Sequence, residues 1–255
     1  MDWSASQYLQ FEDERTRPAR NLLAAVPNTS PRDVIDLGCG PGNSTQLLAD
    51  CYPGANVTGM DSSPNMIAQA REAMPEARFE LGNIDDWHPE HGYDVVFSNA
   101  VMQWLHNHET LFPRLIEHLN PGGTLAIQMP DNLAEPSHIA IREVARSGAW
   151  SDRMKAADDS HTDVLSTIEY YAALSGICSR VDIWRTVYNH PMQGADAIVD
   201  WFVGSRLRPY LAQLDADEKT EFLAQYRRLI EKSYPSQPDG RTLLAFPRLF
   251  IVATR

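Results

Sequence analysis

Lysine is scarce in this 255-residue chain: Lys155, Lys219 and Lys232 stand against 19 arginines. Cationic side chains as a whole are outnumbered, 22 against 34 acidic ones, and the formal net charge is −12. Such a balance disfavours nucleic acid and anionic membrane as partners, because both demand a basic face. Cysteine is rare as well. Cys39, Cys51 and Cys178 are odd in number and widely spaced, which argues against a disulfide framework. No apolar run approaches the length of a membrane span. The N-terminal residues MDWSASQYLQFEDER are acidic and lack the apolar core of a signal peptide, so a cytoplasmic location is expected. Low-complexity tracts and internal repeats are missing. The arginine bias suits bidentate recognition of carboxylates; a biased genome base composition accounts for it equally well.

What is present is a chain of ordinary globular composition, 43% hydrophobic and 22% charged, long enough for one large α/β domain or two small ones. Its organising stretch is residues 33–43, DVIDLGCGPGN. The apolar run Val34-Ile35-Asp36-Leu37 has the character of a buried parallel strand. Gly38, Gly40 and Gly42 follow at every second position, where glycine lets the backbone turn sharply and approach a ligand. Asn43 and the residues after it open a helix whose first N–H groups are unpaired. Asp61 closes the next apolar run, at the place where an acid reads a ribose hydroxyl pair. The spacing is G-x-G-x-G, not the dinucleotide G-x-G-x-x-G/A. Ser62 follows Asp61 directly.

Elsewhere the pattern is β-α repeated as far as residue 130, implying a parallel sheet covered on both faces. Residues 1–30 carry helical spacing, with Pro18 suited to the first turn of a second helix. They are expected either to pack as a solvated helix or to act as lid helices bringing Tyr8 and Arg17 or Arg15 over a cofactor. Ser63 and Pro64 read as a helix cap and first position. The strand at residues 77–82 ends beside the glycine loop, where Ile84 and the amide oxygen of Asn83 suit an adenine ring and its amine. Asn99 and Trp104 follow the carboxyl end of the strand at residues 93–99, where ligands bind in open parallel sheets. The histidine pairs at 88/91 and 106/108 lack acidic or thiolate partners, so no metal is expected. Mixed helical signals at residues 131–176 (Ile139, Ile141, Val144, Ala145; Val164, Leu165, Ile168, Tyr171, Leu174) suggest an inserted cap. A strand follows at residues 180–189, then helices at 195–214 and 217–232. The final strand lies within 241–254, where Pro247 suggests an edge or bulge.

The glycine loop resembles motif I of the class I S-adenosylmethionine-dependent methyltransferases, and Asp61 resembles their ribose-binding acid. WSASQYLQFEDERTRPARNLL, residues 59–64, 126–132, 181–186 and 207–210, and LLAFPRLFIVA resemble the trans-aconitate methyltransferase family within that superfamily. The resemblance implies a Rossmann-like α/β fold with a seven-stranded, mostly parallel sheet, a reversed last strand and an added helical cap. It implies one methyltransferase domain over residues 1–255: N-terminal lid helices at 1–30, a cofactor-binding core at 31–130 and substrate-binding cap segments at 131–176 and 193–240. S-adenosylmethionine is the implied cofactor, held by Tyr8, Arg17, Asp36, Gly38, Gly40, Asn43, Asp61, Ser62, Asn83, Ile84 and Asn99. Asn83 stands where many relatives carry Asp. The implied reaction is methyl transfer to one carboxylate of trans-aconitate, giving the monomethyl ester.

A carboxylate is already ionised at neutral pH, so no catalytic base is expected and positioning does the work. A tricarboxylate calls for an arginine cluster, with Arg185, Arg208 and Arg248 as candidates and Tyr8, Trp104 and Trp184 as walls. Each arginine is almost equally well explained as a surface charge. Three alternatives remain at this level. One is a methyltransferase of another small acid or of a hydroxyl, using His106 or His138 as base. The others are an NAD-dependent oxidoreductase and a non-catalytic cofactor-binding module. Oligomeric state is not legible.

Overall fold

The computed structural model describes residues 12–158 and 164–255; Tyr8 lies outside them. The chain runs α1 (Glu12–Ala24), β1 (Asp33–Leu37), α2 (Asn43–Cys51), β2 (Asn56–Asp61), α3 (Pro64–Ala73), β3 (Arg78–Leu81), β4 (Tyr93–Asn99), α4 (His108–Glu117) and β5 (Leu119–Pro130). It continues through α5 (Pro136–Ser147), α6 (Ser151–Asp158), α7 (Thr167–Leu174), β6 (Arg180–Met192), α8 (Gly194–Val203), α9 (Arg208–Leu211), α10 (Ala216–Ser233) and β7 (Thr242–Thr254).

Seven strands form one sheet in the order β3-β2-β1-β4-β5-β7-β6. β1 pairs in parallel with β2 and β4, and β4 in parallel with β5. β7 alone is reversed, antiparallel to both β5 and β6. The strand order switches direction between β1 and β4, which opens a crevice at their carboxyl ends. Alternation along the strands buries both faces. Ile35, Leu37, Val96, Leu125 and Ile127 pack under α4 and α7, while Val34, Val95, Phe97 and Ala126 pack under α1 and α2.

Several expectations need correction. Pro18 does not begin a second helix; it sits inside α1. The helix expected over 195–214 breaks after Val203, and a short α9 follows. In α7 the apolar residues Ile168 and Tyr171 are exposed, whereas Tyr170 and Leu174 are buried against the sheet. The capping box of Ser166 and Glu169 sets that helix phase. The edge expected at Pro247 is present, locally, in β7. Its pairing with β5 ends at Arg248, so at Pro247 only β6 lies beside it and no ladder donor is needed there.

A second core explains the cap. α5, α6, α8 and α10 bury Ile141, Val144, Trp150, Trp201, Phe202, Phe222 and Tyr226 together with Leu244 and Phe246. The last two residues come from the stretch of β7 that outruns β5. The β6–β7 pair thus carries the sheet into the cap and holds it over the carboxyl ends of β4 and β5.

Candidate active site

The glycine loop is built by its own backbone. Gly38, Gly40 and Gly42 all have positive φ, at 75°, 55° and 101°, a region that side chains disfavour. The N–H groups of Gly38 and Cys39 both donate to the carbonyl of Met60, at 2.7 and 3.0 Å. These bonds strap the loop over the end of β2. A Cβ added at Gly38 would lie 2.3 Å from Val101 Cγ2, so that glycine is demanded by packing. A Cβ at Gly40 would meet nothing within 4 Å. Gly40 therefore faces open space, as a ligand cradle requires.

Asp61 locks this loop from β2. Its Oδ2 accepts from Gly40 N–H and its Oδ1 from Ser63 N–H, each at 2.9 Å. A carboxylate has about four acceptor sites, so both oxygens retain capacity for a hydroxyl pair. Ser62, beside it, is exposed. Asp36 lies beneath the loop, with its Oδ1 buried and without a hydrogen-bond partner. It is wholly buried, and its Oδ2 accepts from the hydroxyls of Ser44 and Thr45 at 2.7 Å each. Burial raises its carboxyl pKa to about 6, against the lowering effect of those hydroxyls. Asp36 holds the first turn of α2 in place from below. Asn43 is the first residue of that helix.

The adenine-side expectations also change. Ile84 is buried in the sheet core with Trp87 and Leu111, not presented as a platform. Arg114 pins this turn by donating to the carbonyls of Ile84 and Asp85, both at 2.8 Å. Asn83 is exposed, and its Oδ1 accepts from Asp85 N–H at 3.2 Å; a second lone pair remains on that oxygen.

At the end of β4 the chain is strained and polar. Ala100 has φ 60°, which costs a non-glycine residue about 1–2 kcal/mol. Asn99 Oδ1 is buried and has no hydrogen-bond partner, so it can accept from a ligand ammonium. Gln103 donates to the carbonyl of Ala100 at 2.7 Å, and its own Oε1 is likewise buried without a partner. Val101 packs on Gly38, while Gln103 and Trp104 line a separate cavity. A few residues thus join the cradle to that cavity.

The cavity lies between the ends of β4 and β5 and the cap, and holds about 500 Å³ with open solvent included. Trp104, Trp201, Phe202 and Phe246 supply aromatic wall; Asn132, His138, Ser205 and Arg206 supply polar groups. Arg206 is buried, with its guanidinium 5.5 Å from the Tyr210 ring centroid and Nη2 donating to Tyr210 Oη at 3.4 Å. Sequence reasoning chose Arg208 and missed Arg206. Arg208 opens α9 and does not line the cavity. The available signal was Gly204, a poor helix former, which stands at the C-cap of α8 before the turn of Ser205 and Arg206.

The other candidates separate. Arg248 is buried behind the wall, 4.9 Å from the centroid of Phe246, and donates to Gln128 Oε1 at 3.2 Å. Arg185 is half-exposed, is paired with Asp131 at 2.5 Å, and does not itself line the cavity. Trp184 stacks on Phe250, with centroids 4.8 Å apart, on the sheet face covered by α1. Arg17 is exposed and lies 5.2 Å from the centroid of Tyr188. Among the described residues no group of three or more His, Cys, Asp or Glu is placed to hold a metal ion. His108 is committed to Tyr170 Oη at 2.7 Å and the Met102 carbonyl at 2.9 Å. No helix among the described residues is long and apolar enough to cross a membrane.

Comparison with known proteins matches this geometry. A family model described as a methyltransferase domain matches residues 34–123. A trans-aconitate 2-methyltransferase of Rhodopseudomonas palustris (strain BisB18) is 52% identical over 254 residues, covering 100% of this chain and 99% of the relative. One from Yersinia pseudotuberculosis is 50% identical over 252 residues, covering 99% and 98%. Among solved structures, the YcgJ protein of Bacillus subtilis shares the fold at TM-score 0.61 and 14% identity, over 94% of this chain and 98% of that one. A Haemonchus contortus phosphoethanolamine N-methyltransferase, solved with S-adenosylhomocysteine, shares it at TM-score 0.55 and 18% identity, over 94% and 52%. Identity over the whole length, cap included, decides the assignment: the chain belongs to the trans-aconitate 2-methyltransferase family of class I methyltransferases.

Proposed function

We propose that this chain transfers a methyl group from S-adenosylmethionine to one carboxylate of trans-aconitate, giving the monomethyl ester and S-adenosylhomocysteine. The observation that carries this is the buried arginine, Arg206, in an aromatic-walled cavity whose lining residues Gln103 and Trp104 closely follow Val101, which packs against Gly38 of the glycine loop. The family named above supplies the substrate.

The cradle fits the cofactor: Gly40 leaves space, Asp61 keeps acceptor capacity for the ribose hydroxyls, and Asn99 Oδ1 offers an acceptor for the methionine ammonium. When bound, S-adenosylmethionine supplies a methyl group on a sulfonium, an electrophile that a carboxylate takes directly. The protein then has to align and dehydrate. Arg206 holds a non-reacting carboxylate, and Arg248 adds positive potential from behind Phe246. Trp104 and Trp201 exclude water, which strengthens both electrostatic contacts. Holding the reacting oxygen in line is worth several kcal/mol of barrier. Arg17 and Tyr8 are assigned to the N-terminal lid, and the cap segments to substrate binding. The net charge of −12 fits a cytoplasmic enzyme.

A hydroxyl acceptor is disfavoured because it needs a base. His138, the histidine in the cavity, has its pKa pushed down to about 3 by burial and by Arg206 and Arg142, which leaves it a weak base.

Label transfer from methyl-labelled S-adenosylmethionine tests the proposal, with trans-aconitate, cis-aconitate, citrate and isocitrate offered separately. A base-labile product formed preferentially from trans-aconitate is expected. Cofactor binding without transfer to any of the four would refute the substrate assignment.

A further inference from the structure

We propose that His138 is a substrate-binding residue of the acceptor cavity, donating a hydrogen bond to a non-reacting carboxylate of the acid whose charge Arg206 neutralises. The proposal rests on the functional assignment above and adds a second, directional contact to it.

Three observations carry it. His138 lines the same cavity as Arg206 and is 4% exposed. Its Nδ1 is buried and has no hydrogen-bond partner. An unpaired buried polar atom is normally unfavourable, so its persistence beside a cavity calls for a partner that arrives. The ring is also held in a defined orientation. It packs edge-on against Phe202, with centroids 5.0 Å apart at 89°. Its helix is anchored on both sides: Ser137 N–H donates to Tyr234 Oη at 3.2 Å, and Arg142 donates to the Leu133 carbonyl at 2.8 Å.

Other histidines with buried ring nitrogens sharpen the contrast. His108 has both ring nitrogens satisfied within the protein. His118 and His190 each have an unpartnered Nε2, but neither lines the cavity.

The chemistry suits a polycarboxylate. Burial, then Arg206 and Arg142, keep the imidazole neutral at working pH. Arg206 and Arg142 bring positive charge to it, while the ring contributes one N–H without further charge. Arg206 supplies long-range attraction, and His138 supplies direction. Together they hold one end of the acid while another carboxylate reacts.

The test uses the full-length protein with S-adenosylhomocysteine and S-adenosylmethionine. His138→Phe keeps the ring packing and removes the donor; His138→Gln restores an N–H. Calorimetry reads trans-aconitate binding to the protein with S-adenosylhomocysteine, and label transfer reads KM and kcat. A hydrogen bond to a charged group corresponds to about a 10- to 100-fold effect. His138→Phe is expected to weaken trans-aconitate binding and raise KM by about that factor. S-adenosylhomocysteine affinity and thermal midpoint should stay unchanged, and His138→Gln should recover at least part of the loss. Unaltered trans-aconitate affinity in both variants would overturn the proposal, as would equal losses in both with a lowered melting temperature. Native protein that binds trans-aconitate without transferring label overturns the functional assignment alone. Native protein that binds no polycarboxylate overturns both.

Discussion

Asp61 accepts a hydrogen bond from the backbone N–H of Gly40 at 2.9 Å, which ties the end of β2 to the open middle of the glycine loop. One carboxylate thus shapes the cradle and offers its remaining lone pairs to a ligand. Asp61→Ala should weaken S-adenosylhomocysteine binding by about 100-fold, since it removes a charged acceptor and the loop strap together. Asp61→Asn should fall between the two, because Oδ1 can still accept from Ser63. Calorimetric titration of the three proteins checks the order. Equal affinity in native and Asp61→Ala protein would remove Asp61 from the site.

Gly38 and Gly40 should respond to alanine to different degrees. At Gly38 the new methyl would meet Val101 at 2.3 Å, so folding stability should drop by about 2–4 kcal/mol in denaturant titration. At Gly40 no protein atom lies within 4 Å, so the loss should be about 1 kcal/mol, from backbone conformation alone. Cofactor affinity should nonetheless fall at least tenfold for Gly40→Ala, because the methyl occupies ligand space.

The arginines should divide by cavity, not by sequence segment. Arg206→Ala should raise the KM for trans-aconitate by about 100-fold and leave S-adenosylhomocysteine affinity within twofold. Arg185→Ala should change KM by less than threefold, since that side chain is half-exposed and paired with Asp131. A large KM effect at Arg185 together with none at Arg206 would invert this assignment.

Acid should weaken the fold through His190. Burial pushes its pKa down to about 4, with Arg248 and Arg17 adding to the effect. Between pH 6.5 and 4 the unfolded chain therefore binds the proton that the folded chain refuses. Stability falls as pH drops through that window and levels off below it. The full loss is about 3 kcal/mol. His190→Phe, which keeps the stack on Trp201, should flatten the decline measured by denaturant titration at pH 7, 5.5 and 4. Asp36, whose carboxyl pKa is raised to about 6, acts with the opposite sign and is common to both proteins. Parallel pH curves for the two would show that His190 does not contribute.

Residues 33–61 were legible because everything they do is local. Alternating glycines after an apolar strand have few backbone solutions, and an acid at the end of the next strand falls beside them whatever the rest of the chain does. Ser63 as a helix cap was legible for the same reason, and it accepts from Met66 N–H as its place before Pro64 suggests. Ile84 was misjudged because an apolar residue at a strand end serves a core as readily as a ligand. Here Trp87 and Leu111 take it. Helix phase in α7 failed similarly: Ile168 and Tyr171 share helical spacing with Leu174, yet the sheet lies under Tyr170.

Arg206 shows where local information ends. Its cavity gathers residues from β4's end, α5, the α8–α9 turn and β7, separated by more than 100 positions in the chain. The sequence by itself determined the unit of strand, glycine loop and helix at residues 33–51, because glycine geometry and strand alternation act over a few residues. Only the tertiary structure decided which arginine and which histidine line the cavity under the cap. That choice depends on how the β6–β7 pair outruns β5 and seats the cap, a packing outcome that no short stretch of residues encodes.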